Sequence, residues 1–327
     1  MTTTTLREGS WHLLQLLDSA PGLLSLSDAL IELTEQGHPI VAGTADLKYS
    51  NGLVRFQQRY PERFFQFGIS EQNMVSASAG LATTGLKPYV ATFASFLALL
   101  CCEQIRTDIA YGAQPVRLIG HHAGISLGFY GTSHHATEDL AIMRSIADLT
   151  VVAPADAGAL GAALRGTVDH DGPIYFRINR GREPKVYDDR DAPFELGKAV
   201  EHGTGEDLTI IATGSMVHPS LVAAEQLRAD GFSVGVLDMH TVKPLDEAAV
   251  LAAADRSRQL MSVEEHNVYG GLGGAVAEVL AREGAGVRLH RHGIRDTYSL
   301  VGPPTHLYAH YRLDGDGVAA EARELLR

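Results

Sequence analysis

From about residue 38 onward, short β-rich apolar runs alternate with longer helix-compatible runs. This pattern predicts parallel sheets with helices on both faces. In the first half, Pro39–Gly43, Phe64–Phe67, Pro88–Phe93, Val116–Ile119, Thr150–Ala153 and Ile174–Arg177 read as strands, with helices near 70–84, 95–112, 136–147 and 156–169. The stretch Glu183–Pro193 is charged and holds prolines at both ends, so it reads as a linker. Beyond it the alternation restarts with Leu208–Thr213, Val234–Leu237, Leu260–Val263 and Val287–His290. The expectation is two consecutive three-layer α/β/α domains with mostly parallel sheets, over 38–185 and 195–327, joined by a linker at 186–194. Residues 1–37, which include Trp11 and several leucines, are helix-compatible and are expected to form a helical extension.

Composition narrows the function classes. The 327 residues are enough for two domains that each bury a core. A formal net charge of −12 argues against nucleic-acid binding, which needs a basic stripe. No apolar run reaches the roughly 18 residues of a membrane-spanning helix, and the start Met-Thr-Thr-Thr-Thr lacks the basic opening of a signal peptide. A soluble, cytoplasmic protein is expected. The two cysteines, Cys101 and Cys102, are adjacent in an apolar stretch and read as core residues rather than a disulfide or zinc framework.

In open α/β sheets ligands sit beyond the carboxyl ends of strands, so chemistry-bearing residues are sought there. Glu71 directly follows a strand and opens a helix; it is a candidate acid or base, or equally a dipole-complementing residue beside a Ser70 cap. Phe93 and Phe96 can present an aromatic wall to a flat heterocycle, or simply fill a core. A glycine-rich loop carries His121-His122 at one end and His134-His135 at the other. Their spacing matches no metal-ligand pattern and suits hydrogen bonding or proton transfer to a polar substrate, so no metal ligands are assigned to this chain. Arg177, Arg180 and Arg182 follow the last strand of the first half, where arginines suit a phosphate or carboxylate but also occur as a solvated turn. Gly270-Gly271-Leu272-Gly273-Gly274 only partly matches a dinucleotide fingerprint and is better explained by close helix–strand packing.

Taken in order, the segments GTADLKYSN (43–51), FGISEQNM (67–74), TFASF (92–96), EQIRTDIAY (103–111), HHAGISLGFYGTSHHATEDLAIMR (121–144), PIYFRINRGR (173–182) and VEEHNVYGGLGGAVAEVL (263–280) resemble the C-terminal half of the transketolase family. That half consists of a pyrimidine-binding domain followed by a C-terminal domain. The resemblance implies a thiamine diphosphate enzyme that moves a two-carbon ketol unit from a ketose, expected to be phosphorylated, to an aldose. It implies Glu71 as the glutamate on the cofactor's aminopyrimidine ring, Phe93 and Phe96 as its aromatic surroundings, and Asp46 as a lining residue. His122 and His134 match the loop histidines that contact substrate oxygens and act in catalysis. Arg180, assisted by Ser50, matches the arginine at the substrate's terminal phosphate, whereas His121 and His135 match no catalytic position.

The chain also departs from the family pattern. Phe129-Tyr130 stand where an acidic pair is usual, Leu99 replaces a third aromatic, and Leu23-Leu24 occupy the region of a second phosphate-contacting arginine. The family holds the diphosphate and Mg²⁺ through a Gly-Asp-Gly segment followed by an asparagine; the only Gly-Asp-Gly here, 315–317, has ten residues after it. The resemblance therefore implies the smaller subunit of a split transketolase. A separately encoded N-terminal subunit would complete the site and supply the Mg²⁺ ligands in a heterotetramer. A 1-deoxyxylulose-phosphate synthase-like half, a 2-oxo acid dehydrogenase beta-type chain, and a catalytically degenerate scaffold remain alternatives.

Overall fold

A computed structural model of the chain describes residues 22–188 and 192–327. Trp11, with the rest of 1–21, and residues 189–191 of the expected linker lie outside the described residues. The first helix, α1 (Ser25–Glu35), buries Leu26, Ala29, Leu30 and Leu33, a spacing that lines one helical face. That face joins the core beneath the first sheet.

Strands β1 (Ile40–Thr44), β2 (Phe64–Gln66), β3 (Lys87–Phe93), β4 (Arg117–His121), β5 (Thr150–Val152) and β6 (Ile174–Arg177) pair in parallel. The connecting helices are α2 (Val54–Arg59), α3 (Glu71–Ala82), α4 (Cys102–Gln104), α5 (Asp139–Ser145) and α6 (Ala157–Gly166). The expected continuous helix over 95–112 is instead two π-helical segments, Phe96–Leu100 and Ile105–Ala110, around the single turn of α4. Wide turns of this kind shift the helical register locally, and Leu99 ends up 57% exposed.

The second half contributes β7 (Val200–Glu201), β8 (Leu208–Ala212), β9 (Val234–Asp238), β10 (Thr241–Lys243), β11 (Gln259–Asn267) and β12 (Arg288–Ile294). Its helices are α7 (Val217–Ala229), α8 (Glu247–Arg256), α9 (Leu272–Glu283), α10 (Pro304–His310) and α11 (Gly315–Leu326). Its five-stranded sheet has the order β12-β11-β8-β9-β7. β10 does not join that sheet. It crosses to the first one and pairs antiparallel with β5, giving the seven-stranded order β10-β5-β6-β4-β3-β1-β2. Three residues carry too little periodicity to announce a strand, and nothing local says which sheet they extend.

The segment between the two halves is anchored rather than free. Asp156 caps α6 by accepting from the Ala159 amide at 2.8 Å, and its second oxygen accepts the amides of Val186 and Tyr187 at 2.5 and 2.8 Å. The Tyr187 hydroxyl then donates to Asp238 at 2.8 Å. At the glycine run, the Glu264 carboxylate accepts the amides of Leu272 and Gly273 at 2.7 and 2.9 Å, which caps α9. A Cβ on Gly271 would stand 1.9 Å from that carboxylate, so close packing explains the run. Among the described residues no helix is long and apolar enough to cross a membrane.

Candidate functional site

The carboxyl ends of β1, β2, β3, β4 and β6 open on one edge of the larger sheet, and the candidate residues stand there. Glu71 begins α3, but the Ser70 side chain makes no capping bond, so the alternative of a simple Ser70 cap does not hold. Glu71 is buried, 8% exposed, and its carboxylate accepts one long bond, 3.5 Å from the Thr92 hydroxyl. A buried carboxylate normally collects several donors, so this one keeps lone pairs in reserve. Its charge is felt nearby: burial, and then Glu71, push the Cys101 thiol up to about 12, leaving Cys101 an inert core residue.

At the end of β3, one residue on from the Thr92 that bonds Glu71, the rings gather. Phe93 lies 5.5 Å from Phe96, 4.7 Å from His122 and 5.6 Å from His134 between ring centres; Phe96 lies 5.2 Å from His134. Tyr130, 61% exposed, packs at a tilt against His134 with ring centres 5.0 Å apart. The loop backbone is held as well, since the Ser95 hydroxyl donates to the His134 carbonyl at 3.2 Å. An acceptor with spare lone pairs and an aromatic wall that starts beside its bonding partner together suit a flat, nitrogen-bearing heterocycle.

His121 and His122 contact through their Nδ1 atoms at 2.7 Å, and the His122 amide donates to His121 Nδ1 at 3.0 Å. His121 Nδ1 therefore accepts, and His122 carries its proton on Nδ1, leaving Nε2 as an acceptor. Burial, with Arg180 adding repulsion, lowers His121 to about 3; burial, His121 and Arg180 hold His122 well below the ordinary value. Burial also lowers His134. The site thus presents neutral imidazoles. His121 matched no role in the sequence pattern, yet it fixes the tautomer of its neighbour; only the His-His doublet hinted at this.

The arginines divide. Arg177 is fully buried and donates to Asp139 at 2.9 and 3.1 Å and to the carbonyls of Ala136 and Glu265 at 3.1 and 2.8 Å, so it serves the fold and cannot meet an incoming anion. Arg180 is half-buried beside Arg182, whose charge, after burial, lowers it. It lines a cleft of about 660 Å³ between the first sheet's edge and the second half, with Arg182, Ser126, Ser215 and His218. Glu183, Asp314 and Asp316 line the same cleft, so the paired arginines make one part of its wall, not all of it, suited to an anion. Asp46 and Ser50 occupy the loop after β1. Asp46 has a left-handed φ of 60° and donates its amide to Gln66 Oε1 at 2.6 Å. The structure thus brings together Phe93, Phe96, His122 and His134, with Glu71 reached through Thr92, the neighbour of Phe93, and Arg180 close enough to act on His121 and His122, while Asp46 and Ser50 make no bond to that group.

Glu265 escaped the sequence reading apart from its place in the segment 263–280. It accepts from the Ile125 amide at 2.7 Å, Asn179 Nδ2 at 3.0 Å, the Ser215 hydroxyl at 2.7 Å and the Tyr308 hydroxyl at 2.9 Å, tying the histidine loop to the second half. The Gly-Asp-Gly at 315–317 opens α11, where Asp314 caps by accepting the Gly317 amide at 2.8 Å. A Cβ on Gly317 would lie 2.4 Å from the Arg312 Cα, so these glycines meet a packing need.

The family model described as "Transketolase, pyrimidine binding domain" matches residues 24–185, and "Transketolase, C-terminal domain" matches residues 197–318. This chain belongs to the transketolase family. An apulose-4-phosphate transketolase subunit of Phocaeicola vulgatus is 37% identical over 93% of this chain and 96% of its own length. A 6-deoxy-6-sulfo-D-fructose transketolase subunit of a Clostridium species is 38% identical over 91% of this chain and 92% of its own. A solved structure titled "Split gene transketolase, inactive beta4 tetramer" has 36% identity and a TM-score of 0.85, covering 93% of this chain and 98% of that one. The 1-deoxy-D-xylulose-5-phosphate synthase of Syntrophotalea carbinolica is 37% identical, but the match spans only 47% of its length. Membership carries thiamine diphosphate dependence, and the relatives of matching length place this chain with the transferase subunits of split transketolases.

Proposed function

We propose that this chain is the pyrimidine-binding subunit of a split transketolase that moves a two-carbon ketol unit from a ketose bearing an anionic end group to an aldose acceptor. A separately encoded N-terminal subunit would supply the diphosphate site and the Mg²⁺ ligands, in a cytoplasmic heterotetramer of carbohydrate metabolism. The observation that carries the reading is the buried Glu71 carboxylate, nearly unbonded within its own chain and joined through Thr92 to the end of β3, where two phenylalanines meet two neutral histidines.

Thiamine diphosphate, when bound, supplies a carbon nucleophile and an electron sink. Glu71 would accept a hydrogen bond from the pyrimidine, and its reserve of lone pairs suits that task. Phe93 and Phe96 would hold the ring, with Asp46 lining the same site. His122 offers Nε2 as an acceptor, while His134, nearer solvent, would orient sugar hydroxyls and move protons. Arg180, with Ser50, would grip the anionic end; phosphate and sulfonate, the groups named in the two subunit relatives, both suit a guanidinium fork.

The test pairs this chain with its partner subunit. Glu71→Gln should abolish transfer between a ketose and an aldose and weaken thiamine diphosphate binding, with the fold retained. Wild-type turnover in that variant would overturn the assignment. Release of carbon dioxide from pyruvate without an aldose would favour the synthase-like alternative, and failure of the pair to bind thiamine diphosphate would favour a scaffold.

A further inference from the structure

Away from that edge, on the outer strand of the smaller sheet, lies a group of side chains the proposed transfer does not use. His290 and His292 are two apart on β12 and so share a face of the strand. That face meets Glu321 of α11, and ligand-type atoms of the three residues lie within 4.8 Å of one another. Among the described residues this is the only such set of three. His290 Nε2 stands 3.0 Å from Glu321 Oε1, a separation that two ligands of one small ion can adopt.

His292 supplies the second, independent observation. Its Nε2–H donates to the Arg312 carbonyl at 2.7 Å, which leaves Nδ1 as a lone-pair acceptor. Nδ1 is buried and has no partner, in a residue only 2% exposed. A histidine whose outer nitrogen is pinned to a backbone carbonyl, with its other nitrogen presented bare, is the arrangement that orients a metal ligand. Two imidazoles and one carboxylate form a donor set suited to zinc and similar borderline ions, not to Mg²⁺ or Ca²⁺.

We propose that His290, His292 and Glu321 form a structural site for a zinc-class divalent ion, which ties α11 to the edge strand β12. Two guanidiniums compete for the carboxylate: Arg295 donates to Oε1 at 2.6 Å and Arg312 to Oε2 at 3.1 Å. Metal entry takes Oε1, and Arg295, whose side chain is 67% exposed, turns into solvent while Arg312 keeps Oε2. Water completes the coordination. The site would add a fastening to a helix otherwise held by apolar packing and exposed ion pairs.

The test uses the tag-free full chain, stripped with chelator and titrated with Zn²⁺ or Co²⁺ alone. One ion per chain, a rise in melting temperature with Zn²⁺ and visible Co²⁺ absorption bands of low-symmetry coordination are expected. His292→Ala and Glu321→Gln should weaken binding at least tenfold. His290→Ala, at the rim, guards against misfolding and should also weaken it. Arg295→Ala should strengthen binding several-fold by removing a competitor, whereas a plain ion-pair cluster would only lose stability. No binding by the wild-type chain, or equal Zn²⁺ affinity across all the variants, would overturn the site.

Discussion

Glu71 and Glu265 are both buried near the carboxyl ends of strands, one against each sheet, and they differ in what satisfies them. Glu265 accepts four hydrogen bonds from separate stretches of chain, whereas Glu71 has one, at 3.5 Å. The same contrast separates Arg177, held by Asp139 and two carbonyls, from Arg180 at the cleft wall. A buried charge with all its partners in the chain holds the fold together; one whose partners are missing is kept for something that arrives.

Stability measurements probe this contrast most directly. Glu265→Ala strands four donors and should cost about 3 kcal/mol or more, read as a lowered urea midpoint, while Glu71→Ala should cost no more than about 1 kcal/mol. Equal losses would erase the distinction.

The next largest effect concerns the junction of the two halves. The Gly302 amide donates to the Gly128 carbonyl at 3.0 Å, and a Cβ on Gly128 would meet the Gly302 carbonyl oxygen at 2.2 Å. Gly128→Ala should therefore displace the loop between His122 and His134 and lower kcat about tenfold or more, with circular dichroism unchanged. An unaltered kcat would mean the loop tolerates the shift.

Arg180→Lys keeps the charge but loses the fork, so KM for an anionic sugar should rise about tenfold with kcat little changed. A fall in kcat alone would place Arg180 in the chemical step instead.

A further effect is one of pH. Burial raises the Asp238 carboxyl from 3.8 to about 7, against the lowering bond from Tyr187. The folded chain thus binds more protons than the unfolded one between those values, and this group's contribution to stability is full below 3.8 and is lost as pH rises through about 7. Asp238→Asn should flatten the fall in melting temperature between about pH 4 and about pH 7. Parallel slopes in the two proteins would assign the dependence to another group.

Much of this was legible without coordinates. Runs such as Ile40–Thr44 and Leu208–Ala212, buried at every position, declare themselves because parallel strands covered on both faces must be apolar throughout. Glu71, Phe93, Phe96 and the pairs His121-His122 and His134-His135 are candidates because they stand at strand ends or border a glycine-rich loop, and the resemblance to the transketolase family chooses Glu71, Phe93, Phe96, His122 and His134 from among them. The crossing of β10 into the larger sheet and the π-helical turns around α4 were not legible, since three-residue strands and local register shifts leave no periodic trace.

The longer strands, the division into two α/β halves and the family were set by the linear arrangement of apolar runs and short motifs, because these act over a few residues at a time. Tertiary structure alone decided which polar groups are satisfied. It joined Glu265 to Ile125 across 140 positions, turned His121 into the partner of His122, retired Arg177 into the fold, and left Glu71 and His292 Nδ1 without full complements of bonds. Hydrogen bonding of a buried group depends on neighbours distant along the chain, and no local pattern encodes them.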